Sequence, residues 1–430
     1  MDNVVVFNID GLRADVFDSL LSGSEFLKDL FVAPRVNCKS TFPSITFAAQ
    51  ATIATGEPPD RHGIPGNQFF DRLGIYTNGI PEFYALDVAR GVRALKSAKV
   101  FLEPGEANRL LSEEVQTMYE AVGSKTSLCC YNMYSRGANY WIRPTLLEMW
   151  LLKKFSLRWF PPIFEKLMTK RLLNFLSRSS LPSLLTVYFM SLDTVSHRDG
   201  PSVQKNYYLD VIEPELKKIY QAVRKRAKKT VFILVSDHGS VEVKESYPAI
   251  GAIRDDIPLV EALREKGKLS FKGSKLIFAN NAGMGQLYIR DGEWGSVPSK
   301  EIVERFATDA KDSSVFSGVF VRDSSTLGFD GPYRALVGEM PNVNYGSSLT
   351  GDIILIPDTS KGVTFGDPVK GNHGGISNDE MECVLAFSAP NAQGELAEII
   401  KNVEGKFTED PPQSELEYVR WIVEEGLGRG

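Results

Sequence analysis

The chain has 430 residues, 43% hydrophobic and 24% charged, the balance of a globular protein with a sizeable core. That composition excludes a disordered, collagen-like or disulfide-scaffold polypeptide. Lys plus Arg total 49 against 54 Asp plus Glu, a net charge of −5, so no global field draws the chain to nucleic-acid duplexes.

The first predicted element is a strand from Val4 to Ile9, a continuous apolar run of the kind buried on both faces in a parallel sheet. It leads straight into Asp10 without the order of a signal peptide. No apolar run approaches the roughly 20 residues of a membrane-spanning helix. The chain as written is therefore expected in the cytoplasm, and outside it if a leader has been trimmed. Next comes Ser40-Thr-Phe-Pro-Ser44, followed by a helical pattern that Pro43 suits as first position and Gly56 suits as end. Thr41 would then sit at a helix N-terminus, where free amides favour an anion. A simple N-capping role is the plainer alternative.

The stretch from about 94 to 180 is the least sheet-like part of the first half and reads as an inserted cap. Between Trp150 and Arg178 it carries seven basic residues against Glu165, interleaved with Phe155, Trp159, Phe160, Phe164 and Phe175. A cap over a site, a helical surface resting on anionic lipid, and helices with aromatics inward and a solvated basic face all fit this pattern. Further strands are predicted at Leu184 to Leu192 and Thr230 to Val235, with a helix at Pro214 to Lys228 between them. This alternation argues for an α/β fold, mostly parallel, with helices on both faces. After about residue 391, two amphipathic helical stretches are expected to pack on the same catalytic domain of residues 1–390.

Each predicted strand ends in an aspartate: Asp10, Asp193 and Asp237. Ligands collect at the carboxyl ends of parallel strands, so the three carboxylates can converge on one edge. Only four histidines occur, His62, His197, His238 and His373, and two of them closely follow strand-end aspartates. His197 lies four residues after Asp193, so a helical turn there would face both side chains to one point. Carboxylate plus imidazole suits zinc or a similar divalent ion. His238 follows Asp237 directly, and Gly239 permits the chain break that would let both reach one site. His373 stands in the glycine-rich Gly371-Asn-His-Gly-Gly375. The four cysteines (Cys38, Cys129, Cys130, Cys383) form no CxxC pair and are expected to be reduced and buried.

Taken in order, Asp10, the STFPS run with Thr41, the DxxxHxxGP run from Asp193 to Pro201, the SDHG run with Asp237, and the GNHGG run with His373 resemble the alkaline phosphatase superfamily. Within it they resemble most the nucleotide pyrophosphatase/phosphodiesterase (type I phosphodiesterase) family. The resemblance implies an alkaline-phosphatase-like α/β fold and two divalent metal ions, zinc in the first place with manganese the alternative. Asp193, His197 and His373 would hold one ion, and Asp10, Asp237 and His238 the other, with Thr41 reaching both as the nucleophile of a phosphoryl-threonine intermediate. Asn67 matches the family's asparagine on a non-bridging phosphoryl oxygen, and Phe42 and Tyr188 its pocket for an apolar or stacking leaving group. His62 falls in an HGI turn and reads as structural.

The implied reaction is hydrolysis of a small-molecule phosphodiester or nucleotide. A sulfatase is disfavoured, because Thr41-Phe-Pro-Ser-Ile45 lacks that group's cysteine and arginine. No Arg or Lys follows Thr41 until Arg61, which leans toward diesters over monoesters. A phosphomonoesterase, phosphonoacetate hydrolase or phosphomutase of the same superfamily remains the alternative, as does a metal-binding protein without turnover. Residues 145–180 depart from the family pattern and suit a lipid-headgroup diester, or peripheral membrane contact through 150–178, as well as a nucleotide.

Overall fold

The apolar runs found in the sequence are the centre of a six-stranded sheet in the computed structural model, which describes residues 1–33, 35–86, 108–154, 156–265, 273–323, 328–341, 345–408 and 411–428. Five of its strands come early: β1 (Asn3–Ile9), β2 (Ser127–Cys130), β3 (Tyr140–Ile142), β4 (Leu184–Phe189) and β5 (Thr230–Val235). A second sheet follows, with β6 (Gly251–Ile253), β7 (Leu276–Asn281), β8 (Met284–Ile289), β9 (Phe316–Arg322), β10 (Tyr333–Val337) and β11 (Ile353–Pro357). β12 (Leu385–Ser388) returns to the first sheet, whose order is β12-β5-β1-β4-β2-β3. All its neighbours are parallel except β12 on β5.

Register decides where the site forms. Ile9 lies beside Phe189 and Asn8 beside Val235, so the three central strands finish level. Residues 10, 190–193 and 236–238 therefore emerge at one edge, the carboxyl end where open parallel sheets bind ligands. The strand expected to run to Leu192 stops at Phe189, and a helix begins at Ser191. Asp193 thus stands in a helical first turn rather than at a strand end.

The helices used below are α1 (Thr46–Thr55), α2 (Leu146–Leu152), α3 (Phe160–Arg178), α4 (Ser191–Asp199), α5 (Glu213–Arg224), α6 (Gln393–Lys406) and α7 (Glu417–Leu427). α1 is buried from Phe47 to Thr55 and ends at Gly56 in the left-handed region, as expected. Its start differs from expectation. Ile45 is extended (φ −130°, ψ 144°) and the helix begins at Thr46, so Pro43 is not a first helical residue and Thr41 lies five positions ahead of α1. The tail helices α6 and α7 join a core with Val4, Val6 and Val231 of the first sheet, and the amino group of Met1 donates to Gly426 O at 2.9 Å. Residues 108–180, within the stretch read as a cap, supply β2 and β3 to the main sheet; residues 94–107 and Phe155 lie outside the described ones. All four cysteines are free and buried. Among the described residues no helix is long and apolar enough to cross a membrane.

The second sheet runs β6-β7-β8-β11-β9-β10, antiparallel throughout, over a core of its own. No strands were read there from the sequence. It is tied to the loop after Asn67 by a buried ion pair: Arg72 reaches Asp352 at 2.8 Å, and Arg322 stands 3.9 Å from the same carboxylate oxygen. Removing one partner of such a group leaves buried charge uncompensated. Asp352→Ala is therefore expected to lower unfolding free energy by about 3–5 kcal/mol in urea titrations, and Asp352→Asn by less.

Candidate functional site

α4 is the best-defined part of the site. Its first amide, Ser191 N, donates to Glu165 Oε1 at 2.9 Å, and Gly200 closes its last turn on Ser196 O. One helical turn separates Asp193 from His197, and the two meet at 3.1 Å (Oδ2 to Nε2). His197 turns its other nitrogen, Nδ1, to Gly371 O at 2.7 Å, so the loop of His373 orients this ring. His373 Nε2 is 3.7 Å from Asp193 Oδ1, and its Nδ1 faces Ser44 O at 3.2 Å.

On the neighbouring strands, Asp10 Oδ2 accepts a short hydrogen bond from Tyr188 Oη (2.5 Å), while Oδ1 points 3.4 Å from His238 Nε2. His238 Nδ1 faces Gly239 O at 2.9 Å, and its ring stacks on that of His373 with centroids 3.5 Å apart. Gly239 is obligatory here, because a Cβ would lie 2.0 Å from Asp379 O. Asp237 Oδ1 accepts from Gly11 N (3.0 Å) and His238 N (3.1 Å), and Oδ2 from Gln50 Nε2 (2.9 Å).

Two sets of ligand atoms lie within 4.8 Å of one another: Asp193 with His197 and His373, and Asp10 with Asp193 and His238. The first is the trio expected from the sequence. The second group includes Asp193 and not Asp237, whose carboxylate accepts three protein hydrogen bonds and lies 3.6 Å from His238 Nε2. Asp10 Oδ1 and Asp193 Oδ1 are buried without any hydrogen-bond partner. A donor set of carboxylates and imidazoles with orphaned oxygens fits divalent cations.

The electrostatics carry the same message. Burial raises the Asp10 carboxyl well above its ordinary value, and Asp237 and Asp193 add to this. Burial also opposes ionisation of Asp193, yet His197, His373 and His238 together hold it below the usual range. For His238 burial works against the imidazolium, but Asp237, Asp10 and Asp193 push it up to about 10. Burial, then His238, drives His373 well below its ordinary value. A cluster in which like charges crowd each other this way is what a bound cation relieves.

The segment with Thr41 wraps this cluster. Ser40 Oγ donates to Asp237 O (2.5 Å), Ser44 Oγ to Gly375 O (2.8 Å), and Thr46 Oγ1 lies 3.2 Å from His238 Nε2. Between them Thr41 is fully buried, and its Oγ1 has no hydrogen-bond partner among the described residues. Asn67 Oδ1 accepts from Phe47 N (3.0 Å), which fixes its amide at the start of α1. The hairpin between β7 and β8 holds this loop, through Gln68 N to Asn281 Oδ1 (2.8 Å), and also the His373 loop, through Gly283 N to His373 O (2.8 Å).

Two expected substrate contacts are placed differently. Phe42 is fully buried against Tyr345 (5.2 Å, edge-on), and Tyr188 is buried in the main core with its hydroxyl on Asp10. Neither ring offers an open stacking face, because the strand and loop that carry them point them into packed layers. His62 is structural as read: it is buried, accepts from Ile64 N, faces Thr52 Oγ1, and burial lowers it to about 3.

Several supporting residues were not singled out from the sequence. Gln50 links Asp237 to Asn8, and Glu380 accepts from Gly375 N, Ser377 and Thr359 to hold the His373 loop. Thr46 and Glu165 complete the group. A lone glutamine inside an apolar helix, and a lone acid in a basic stretch, were the visible signals.

Burial raises Glu165 to about 7, with its bonds to Ser191 opposing. A raised acid stabilises the fold fully below its unfolded value near 4.5 and loses that contribution as pH rises through about 7. Glu165→Gln is therefore expected to remove a fall in unfolding free energy on the order of 3 kcal/mol between pH 5 and 8. Urea titrations of both proteins across that range would show it, and parallel curves would refute it.

Three comparisons bear on this geometry. A family model described as type I phosphodiesterase / nucleotide pyrophosphatase matches residues 4–375. An uncharacterized pyrophosphatase/phosphodiesterase of Schizosaccharomyces pombe is 27% identical over 258 residues, 56% of this chain and 46% of that protein, so the chain spans about half the length of this relative. Murine ectonucleotide pyrophosphatase / phosphodiesterase 5 superposes with a TM-score of 0.59 at 15% identity over 90% of each chain. The human protein gives 0.58 at 15% identity, over 90% of this chain and 88% of that one. An inactive murine variant in complex with AMP gives 0.59 at 14% identity, over 91% and 88%. These structures show that the fold is alkaline-phosphatase-like. Because the family match runs from the first strand to the loop of His373, the chain belongs to the type I phosphodiesterase / nucleotide pyrophosphatase family.

Proposed function

We propose that this chain is a metal-dependent phosphodiester or pyrophosphate hydrolase in which Thr41 is the nucleophile. The observation that carries the reading is the meeting of Asp10, Asp193, His197, His238 and His373, with Asp237 against His238, from four distant segments. The Ser40–Thr46 segment bonded to this cluster carries a buried Thr41 hydroxyl without a hydrogen-bond partner among the described residues. Asp193, His197 and His373 hold one divalent ion, and Asp10, Asp237 and His238 the other, with zinc favoured over manganese by the imidazole content. Two divalent ions in such a site neutralise phosphoryl oxygens and make a weak hydroxyl reactive near neutral pH.

Thr41 Oγ1 forms a bond to phosphorus as the bond to the leaving oxygen breaks in line, and water then releases the phosphoryl group from the threonine. Asn67, its carbonyl engaged by Phe47 N, turns its NH2 to a non-bridging oxygen. Tyr188, Gln50 and the backbone carbonyls of Gly239, Gly371 and Ser44 keep the donor atoms in place. The family description and the AMP bound by the murine relative support a nucleotide substrate, and the basic, aromatic surface of residues 145–180 supports a lipid-headgroup diester. Residues 1–390 form the catalytic part, with 391–430 a helical extension on it.

The test is hydrolysis of a nucleotide p-nitrophenyl diester beside p-nitrophenyl phosphate and a lysophospholipid. The diester is expected to release p-nitrophenol, with inorganic phosphate appearing only after an added monoesterase. Faster cleavage of p-nitrophenyl phosphate, with direct phosphate release, would replace the proposal by a monoesterase.

A further inference from the structure

We infer that α2 and the first half of α3 form a docking face for an anionic lipid surface, a property independent of the hydrolytic reading. On α2 Leu146 (50% exposed), Leu147 (62%) and Trp150 (54%) face outward, and the exposed Lys153 and Lys154 follow the helix end. At the start of α3 the outward stripe is Trp159 (56%), Ile163 (39%), Lys166 and Lys170, at the spacing of a single helix face. Both helices thus present apolar side chains followed by lysines. Lys154 Nζ lies 3.9 Å over the Trp150 ring, a cation carried on an aromatic surface.

The charge on this face has one sign. From 140 to 178 the acids are Glu148 and Glu165, both buried. Glu148 is clamped by Arg171 (2.6 and 2.9 Å), which locks α2 to α3, and Glu165 caps α4. Lys153, Lys154, Lys166 and Lys170 are exposed and have no acidic neighbour on these two helices. The exposed Arg158, between the two helices, reaches Asp199 at 3.0 Å, two residues beyond His197. The face therefore runs up to the helix that carries the site. Indole rings beside lysines match the boundary between headgroups and acyl chains, and a uniformly basic rim matches anionic headgroups; a protein partner would have to supply both at once.

The experiment is co-sedimentation of the full chain with phosphatidylcholine vesicles, with and without phosphatidylglycerol, at low and high salt. Binding is expected only with phosphatidylglycerol, with a blue shift of tryptophan emission and loss at high salt. Trp150→Ala with Trp159→Ala should weaken partitioning roughly tenfold or more. Each of Lys153→Gln, Lys154→Gln and Lys166→Gln should weaken it roughly fivefold. All variants should keep the wild-type circular dichroism and melting temperature, and a variant that fails this is replaced by the milder Trp→Phe pair. Absence of binding to anionic vesicles at low salt, or equal binding by folded variants, would overturn the inference. So would a stable dimer that the tryptophan variants dissociate, since a second copy would then cover the face.

Discussion

Thr41→Ala is expected to lower turnover of a nucleotide p-nitrophenyl diester by roughly ten-thousandfold or more, with metal content and melting temperature close to wild type. The hydroxyl is buried, yet no group among the described residues hydrogen-bonds to it, so its loss breaks no hydrogen bond of the described fold. An unmade hydrogen bond in the interior costs free energy, and such a group persists where function requires it. Thr46→Ala is the informative neighbour. Its hydroxyl lies 3.2 Å from His238 Nε2, so its loss should perturb one ligand and slow turnover by roughly tenfold. Near-normal activity of Thr41→Ala alongside a dead Thr46→Ala would move the nucleophile to the helix start.

The second large effect is expected at Asp193. Its carboxylate belongs to both groups of candidate ligand atoms, and it is the shared counter-charge for His197, His373 and His238. Asp193→Ala should therefore empty both positions, giving a metal content near zero and activity at background, in a protein that still folds. Asp237→Ala should lose only the ion at the Asp10 and His238 position and, unlike Asp193→Ala, should also weaken the fold. Its carboxylate accepts from Gly11 N, His238 N and Gln50, so its removal is expected to cost roughly 2–4 kcal/mol in urea unfolding as well as activity. Metal analysis with denaturation of both variants checks the contrast. Full metal content in Asp193→Ala would refute the shared role.

Much of the site was legible because its chemistry sits in short, dense motifs. The Asp193–His197 spacing already implied a helical turn, and the structure supplies that turn in α4. The rarity of histidine made His238 and His373 visible, and the continuous apolar strands announced a sheet buried on both faces. Local periodicity misled at two borders. It extended β4 into α4, because Met190 and Leu192 are as apolar as a strand, and what starts the helix is Glu165, an acid 26 residues upstream. It also started α1 at Pro43, although the backbone between Thr41 and Thr46 turns around the His238 and His373 loops before the helix begins.

The burial of the two aromatic candidates was not legible for a related reason. Phe42 and Tyr188 were matched by position in a motif, while exposure depends on what packs over them, namely Tyr345 and the core behind Asp10. The second sheet is less legible because its hairpins, such as β7 with β8, are joined into one sheet only through β11, which pairs with β8 and β9 far back along the chain.

By itself the sequence determined the fold class, the family resemblance, and which acids and imidazoles were candidates for one site, since these follow from local pattern and residue type. Only the tertiary structure decided that three strand ends lie level, that Asp193 stands between two groups of ligand atoms, that Asp237 is held by backbone amides, and that Trp150 and Trp159 face outward. Register, donor geometry and burial arise from contacts between residues far apart in the chain, and no local window contains them.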